Sequence, residues 1–301
     1  MTQAKPTVLI IGVTGMLGNQ IASAILDKGE MTVKALVRSN NSKQDKLKPL
    51  QERGMTLVEG DLLSLPSLLK ACEGVDAIVS AVSGSEEMAV TEQLNLIEAA
   101  AAKKVRRMIP SDYSVDYRKL DWGDNYNLDM RKKVFSALES SQIDYTLILN
   151  GCFTEVLFGS FLNVFDLTAG TLNYWGDGNT PFDTTTTNDT AKFIAEAIAD
   201  PTMANKALQI AGDIITMKQL LETYQNVTGK TLIANQLGSV EELTAWIEKT
   251  KAVANSPYEY LPQQYLFTMV SGKGKLDNIA NSQYPQIAVS SVGEYIRQAG
   301  L

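Results

Sequence analysis

The residues most clearly suited to a chemical task are three glycines near the amino terminus, at the spacing Gly12-x-x-Gly15-x-x-Gly18. An apolar run at 7–11 precedes them, and a pattern typical of an amphipathic helix at 20–28 follows. Glycine is also used in strand-to-helix turns for steric reasons alone, so the evidence for a binding site is the strand before the glycines and the helix after them. Gly12 would permit a tight turn, Gly15 a close backbone approach to a pyrophosphate, and Gly18 close helix packing. The segment predicts a dinucleotide-binding turn, with phosphates at a helix N-terminus.

A second position discriminates between the two nicotinamide dinucleotides. About 20 residues beyond such a turn, an Asp or Glu holds the ribose 2′-hydroxyl of NAD(H). Here the apolar run at 32–37 ends in Arg38-Ser39. A guanidinium binds a phosphate through a planar fork of donors, whereas a carboxylate would repel it. The sequence therefore predicts NADP(H) as the cofactor. Lys43, Lys46 and Lys48 follow in a polar loop and would add positive charge near the phosphate, or they are simply solvated.

The chain contains no histidine. Ser-His-Asp and Cys-His catalysis are therefore excluded, as are the common zinc sites that need an imidazole. Proton transfer would have to come from Lys, Tyr, Asp, Glu, a hydroxyl or water. A nicotinamide cofactor brings its own reactive carbon and fits this composition.

Composition narrows the class of protein further. The 301 residues carry a net charge of −7, which argues against general binding to nucleic acid or to an anionic membrane. No apolar run is long enough for a signal peptide or a membrane span. Two cysteines, Cys72 and Cys152, form no disulfide framework or metal spacing. These features predict a cytoplasmic protein without a metal.

Apolar runs typical of strands alternate with helical patterns through the first half of the chain, which predicts a parallel sheet with helices on both faces. The predicted fold class is α/β: a Rossmann-type doubly wound parallel sheet with a smaller α+β C-terminal substrate domain. The predicted NADP-binding domain spans 1–155, and the segment 186–200 returns to it. The substrate-binding domain takes 156–185 and 201–301. Ligands of such sheets bind beyond the carboxyl ends of the strands.

These residues resemble the isoflavone reductase-like and NmrA-like proteins, atypical members of the short-chain dehydrogenase/reductase superfamily. The similarity covers nearly the whole chain. Beyond the glycine turn, it rests on these segments: Leu36-Val37-Arg38-Ser39, Glu59-Gly60-Asp61-Leu62, Val79-Ser80-Ala81-Val82, Ile109-Pro110-Ser111-Asp112-Tyr113, Tyr145-Thr146, Asn150-Gly151-Cys152-Phe153, Trp175-Gly176-Asp177-Gly178-Asn179, Tyr284-Pro285 and Val292-Gly293-Glu294-Tyr295.

The resemblance implies an NADP(H)-binding Rossmann domain and a smaller domain that forms a substrate cleft. It implies roles for residues along the whole cofactor. The pyrophosphate would contact Thr14, Gly15, Met16 and Leu17; the 2′-phosphate Arg38 and Ser39; the adenine side Asp61 and Leu62; and the nicotinamide half Ala81, Val82, Ser83, Pro110, Ser111, Asn150, Cys152 and Phe153.

The sequence departs from this pattern at one position. Reductases of the isoflavone type carry a catalytic lysine on the helix before the sixth strand, and ungapped alignment places Arg131 there, beside Lys132 and Lys133. An arginine stays protonated, so it can orient a substrate or stabilise an oxyanion but is a poor proton donor or acceptor. A solvated helix face is the alternative for this basic run. Tyr113 is a candidate acid by its location.

The leading hypothesis is an NADPH-dependent reductase that transfers hydride to a small apolar substrate, aromatic or carbonyl-containing. The alternative is an NmrA-like NADP(H)-sensing regulatory protein that binds a protein partner without turnover, which Arg131 favours. An isomerase or epimerase is a third possibility, although the Tyr-x-x-x-Lys pair is absent near this segment. The substrate's identity and the oligomeric state stay open.

Overall fold

The computed structural model describes residues 4–39, 44–84 and 87–301. Its strands are β1 (Thr7–Ile11), β2 (Thr32–Val37), β3 (Thr56–Glu59), β4 (Ala77–Ser80), β5 (Arg107–Ile109), β6 (Asp144–Leu149), β7 (Cys152–Phe153), β8 (Phe165–Asp166), β9 (Thr171–Trp175), β10 (Phe182–Thr185), β11 (Lys206–Gln209), β12 (Asp213–Ile215) and β13 (Ile233–Gly238).

The helices alternate with the strands in the first half of the chain and dominate its last third. They are α1 (Met16–Lys28), α2 (Lys48–Glu52), α3 (Leu65–Ala71), α4 (Gln93–Ala102), α5 (Tyr126–Glu139), α6 (Thr154–Leu157), α7 (Thr187–Ala199), α8 (Met217–Thr228), α9 (Val240–Lys251), α10 (Leu261–Val270) and α11 (Val292–Ala299).

The largest sheet has seven strands in the order β3-β2-β1-β4-β5-β6-β11. The pairs β2–β3, β1–β2, β1–β4, β4–β5 and β5–β6 are parallel. In β1, the four residues from Val8 to Ile11 are buried, as expected for a strand covered by helices on both faces. The predicted Rossmann-type doubly wound sheet is confirmed. Its order reverses at β1, because β2 and β3 lie on one side of β1 and the chain then crosses from β3 to β4 on the other side.

Helix α1 shows how the sequence sets a helix beside this sheet. Ile21, Ala22 and Ile25 recur at helical spacing and are buried. The helix ends at Gly29, which has a φ of +67° and donates its N–H to the carbonyl of Ile25. A left-handed residue of this kind favours glycine because no Cβ clashes there. The end of α1 is therefore encoded locally.

The chain divides into two compact units. The first comprises 1–112, 130–148 and 190–208, and the second comprises 113–129, 149–189 and 209–301. The core of the first unit contains residues of β1, β4, α3, α4 and α5, such as Leu9, Ile78 and Leu96. The second unit contains the three-stranded sheets β12-β10-β7 and β13-β9-β8 and a separate core around Leu220, Tyr224 and Leu266.

One predicted helix has a different course in the structure. The Ala-rich stretch from Met88 to Lys104 is typical of a single helix, but it begins as a π-helical turn, Glu87–Glu92, which continues as α4. Lys104 lies beyond the end of α4 in the left-handed region, with a φ of +59°. Among the described residues, no helix is long and apolar enough to cross a membrane.

Candidate functional site

The glycine turn lies at the carboxyl end of β1. Gly12 has a φ of +83°, and a Cβ there would overlap the carbonyl oxygen of Ala81, which follows β4. Gly15 donates its N–H to the Gly12 carbonyl over 3.0 Å. A Cβ at Gly18 would overlap that same Gly12 carbonyl oxygen. No side chain fits at Gly12 or Gly18, because the backbone of the turn is in direct contact with the segment after β4 on one side and with α1 on the other.

The N-terminus of α1 opens from this turn. Gly15 is the residue before the helix, its backbone is extended, and at this position there is no side chain to cap the first turn of α1. The first N–H groups of a helix have no partner within the helix, and they carry the positive end of its dipole. Gly15 and Met16 are exposed, and Leu17 is half-buried. This helix end has the form of an anion-binding site.

A cleft of about 320 Å³ lies beside the turn, along the carboxyl ends of β1 to β4. Every lining residue in the described part of the chain belongs to the first unit. They are Ile11, Gly12, Thr14, Gly15, Leu36, Val37, Arg38, Gly60, Asp61, Leu62, Ala81, Val82, Ser83 and Glu92. The fold therefore brings together residues from five separate segments of the sequence: 11–15, 36–38, 60–62, 81–83 and Glu92.

Among the described residues, three charged side chains line the cleft: Arg38 after β2, Asp61 after β3 and Glu92 before α4. Arg38 is exposed, so its guanidinium is accessible to a ligand. The Asp61 carboxylate accepts a hydrogen bond from the backbone N–H of Leu63 over 2.9 Å, which holds the turn after β3. Ser39 and Lys46 are exposed but are not among the lining residues, and Lys43 lies outside the described residues.

The loops after β4 and β5 are joined by a hydrogen-bonded clamp formed by Gln93, Ser111 and Val82. The Ser111 hydroxyl donates to the Val82 carbonyl over 2.6 Å. The Ser111 N–H donates to Oε1 of Gln93 over 3.1 Å, and Gln93 is only 2% exposed. Because Val82 lines the cleft, the clamp fixes one of its walls. Ser111 is linked to the cleft through this bond, and Pro110 precedes it in the same loop.

Arg131 lies in the first turns of α5. It is half-buried, and its guanidinium donates to the carbonyl of Asp112 over 3.3 Å. Asp112 ends the loop after β5, so Arg131 helps to hold that loop.

The other predicted site residues belong to the second unit. Tyr113 is buried, with 5% of its surface exposed. Asn150 is fully buried, and neither its side-chain oxygen nor its nitrogen has a hydrogen-bond partner within the described residues. Cys152 and Phe153 form β7 and are half-buried. Burial, with a smaller contribution from Glu155, raises the pKa of the Cys152 thiol to about 12, so this thiol stays protonated. The predicted roles of these four residues stay predictions.

Sequence reasoning missed several lining residues, of which Gly60 and Glu92 are the most informative. A Cβ at Gly60 would lie 2.7 Å from Cδ1 of Leu36, so glycine keeps β2 and the turn after β3 close together. Gly60 stood in a segment that carried the family resemblance, and this was a usable signal. Glu92 gave none, because it lies in a helical pattern and its position at the cleft depends on the packing of α4.

The order of the sheet, the glycine turn and the cleft at the strand ends together define a protein of the Rossmann type. The model of the NmrA-like family matches residues 4–287, and the chain belongs to this family. The family membership predicted from the sequence motifs is thereby confirmed.

Similarity to individual proteins extends across the chain. A probable pinoresinol-lariciresinol reductase 3 of Arabidopsis thaliana is 32% identical over 234 residues, which cover 76% of this chain and 75% of that protein. The solved structure of AtPrR2 with NADP+ and (+)pinoresinol has a TM-score of 0.86 at 24% identity, covering 98% of this chain and 99% of that one. A binary complex of leucoanthocyanidin reductase and NADPH from Vitis vinifera has a TM-score of 0.83 at 22% identity, covering 97% and 98%.

Proposed function

We propose that this chain binds NADP(H) in the cleft of its first unit and acts as an NADPH-dependent reductase of a small apolar, aromatic or carbonyl-containing substrate. The observation that carries the proposal is that Arg38 and the glycine turn line one cleft. The relatives named as reductases, and the neighbours whose structures hold NADP+ or NADPH, support the same cofactor.

The residues of the cleft fit a phosphorylated dinucleotide. The N-terminus of α1 lacks a side-chain cap, and Thr14, Met16, Leu17 and Gly18 would present N–H groups to the pyrophosphate. Gly15, whose N–H is bonded to the Gly12 carbonyl, would let the backbone come close to it. Arg38 and Ser39 follow β2 and would hold the 2′-phosphate, with Lys46 adding positive charge nearby. Asp61 and Leu62 would bound the adenine side. When bound, NADPH supplies the hydride.

Arg131 would act on the substrate as a fixed cation. Its bond to the Asp112 carbonyl restrains the guanidinium, and a fixed positive charge of this kind is suited to orient a carbonyl or stabilise negative charge on its oxygen. The proton that completes such a reduction would come from another group or from water, because a guanidinium does not release one at neutral pH. We infer the substrate class from the relatives, which are named for pinoresinol and leucoanthocyanidin.

The cofactor proposal is tested by titrating the wild type with NADPH and NADH and comparing the Arg38→Asp variant. Wild type is expected to bind NADPH at least tenfold more tightly than NADH, since a charge-assisted hydrogen bond contributes about 1.5–3 kcal/mol. Arg38→Asp should lose that preference. Arg297→Asp makes the same charge change at an exposed position of α11 and should retain it. Equal affinity of the wild type for both cofactors would overturn the role of Arg38.

The reductase proposal is tested with a substrate panel of quinones, enals, aryl ketones and aryl benzylic ethers, following the oxidation of NADPH. Turnover of at least one class supports it. NADPH binding without turnover of any of them, together with a copurifying protein, would support the sensor alternative instead.

A further inference from the structure

We propose that Asn95 is a positioning residue for the adenosine half of the cofactor, because its side chain fixes the turn that follows β3. This inference rests on the proposed NADP(H) site and deepens it. The turn contributes Gly60, Asp61 and Leu62 to the lining of the cleft. Asn95 lies in α4 and does not line the cleft itself, so it would act on the cofactor through this turn.

The position of β3 in the sheet determines which half of a dinucleotide the turn faces. Among the described residues, β3 is an edge strand of the seven-stranded sheet and lies beside β2. Arg38 follows β2, on the same side of β1 as the turn. A dinucleotide spans the point where the strand order reverses, with one nucleotide on each side. With the 2′-phosphate at Arg38, the turn after β3 bounds the adenosine half of the cofactor.

Two helices hold this turn by hydrogen bonds. From α3, the hydroxyl oxygen of Ser67 accepts the N–H of Asp61 over 2.9 Å. From α4, Nδ2 of Asn95 donates to the carbonyl of Leu62 over 3.0 Å. Ser67 is only 6 residues from Asp61 along the chain, whereas Asn95 is 33 residues from Leu62. The bond from Asn95 therefore ties the turn to a separate element of the fold.

The part of α4 that carries Asn95 is itself held in place. Leu96 and Ile97 are buried in the core of the first unit, together with Leu68 of α3. Asparagine is a weaker helix former than leucine or alanine. Helix propensity therefore does not account for an asparagine at position 95, whereas its bond to the Leu62 carbonyl does. A turn that is fixed before the ligand arrives needs less ordering on binding, so this bond should increase the affinity for the adenosine half.

The test compares the affinity of Asn95→Leu and the wild type for NADPH and for adenosine 2′,5′-bisphosphate, which lacks the nicotinamide nucleotide. Leucine is similar in size to asparagine, favours a helix and donates no hydrogen bond. We expect the variant to bind both compounds about fivefold more weakly, the loss that corresponds to one neutral hydrogen bond. The two losses should be equal, because the turn would contact only the part that the compounds share.

Three controls separate positioning from a general loss of structure. Asn95→Gln keeps the amide donor and should bind both compounds more tightly than Asn95→Leu does. Asn226→Leu makes the same change at an exposed position of α8 and should bind them as the wild type does. Amide hydrogen exchange in Asn95→Leu should be faster at Asp61 and Ser64, whose N–H groups are bonded within or beside the turn, and unchanged in β1 and β4.

Unchanged binding in Asn95→Leu would overturn the inference, and so would an affinity of Asn95→Gln no higher than that of Asn95→Leu. A larger loss for NADPH than for adenosine 2′,5′-bisphosphate, or faster exchange in β1 and β4, would mean that Asn95 supports the cleft as a whole, which also overturns it. Failure of the wild type to bind NADPH would instead overturn the proposed function.

Discussion

Replacement of Gly18 by alanine is expected to destabilise the first unit, although the residue lies in a helix. At the third position of α1, a Cβ would overlap the Gly12 carbonyl oxygen and lie 2.7 Å from the Gly12 carbonyl carbon and 3.0 Å from Cα of Val13. These are backbone atoms, so no side-chain rotation relieves the overlap. The helix must move away from the turn instead.

Two opposing effects decide the magnitude of this change. Overpacking costs about 1–3 kcal/mol, and a contact with backbone belongs at the upper end. Alanine is favoured over glycine within a helix by about 1 kcal/mol. The net loss is then about 2 kcal/mol, which corresponds to a change of about 30-fold in an opening equilibrium.

Gly293 offers a matched control, because it lies in the first turn of α11 and its added Cβ would be 3.5 Å from the Thr223 side chain, an ordinary contact. Gly293→Ala should therefore keep or increase stability. Amide hydrogen exchange in β1 and β4 should become about 30-fold faster in Gly18→Ala only.

Tryptophan fluorescence is an internal reference in the same experiment. All three tryptophans, Trp122, Trp175 and Trp246, belong to the second unit. Their fluorescence therefore reports the urea transition of the second unit, whereas the exchange of β1 and β4 reports the first. Wild-type exchange rates in β1 and β4 of Gly18→Ala would refute the steric reasoning, since the helix would then have absorbed the methyl group without cost.

Two further predictions concern the clamp and the thiols. Ser111→Ala removes the hydrogen bond to the Val82 carbonyl, which contributes about 1 kcal/mol, so the KM for NADPH should rise about fivefold with little change in kcat. Ser111→Thr keeps the hydroxyl and should have the KM of the wild type. An unchanged KM in Ser111→Ala would show that the clamp does not shape the cleft. Burial raises the pKa of Cys72 to about 11 and of Cys152 to about 12. At pH 8 both thiols of the native protein should therefore react with iodoacetamide at least about 100-fold more slowly than in urea, measured by mass spectrometry. Rapid labelling of native Cys152 would contradict the raised pKa of its thiol.

Much of the fold was predictable because its signals are local. The spacing of buried residues in α1 and the apolar run of β1 specify those elements without distant partners. The boundary at Glu92 was not predictable, because a π-helical turn and an α-helix have similar sequence patterns. The division into an NADP-binding domain (1–155 with 186–200) and a substrate-binding domain (156–185 with 201–301) stays a prediction. The bounds of the two compact units of the structure differ from it.

The sequence by itself determined the glycine turn, the Arg38 position at the end of its strand, the absence of histidine chemistry and the family. Each of these depends on residue type and on short spacing along the chain. Only the tertiary structure decided that Glu92 lines the cleft and that Gln93 and Ser111 hold Val82 in its wall. Those contacts join segments that are distant in the sequence, and they exist because the sheet places the ends of β1, β2, β3 and β4 side by side and α4 packs against them.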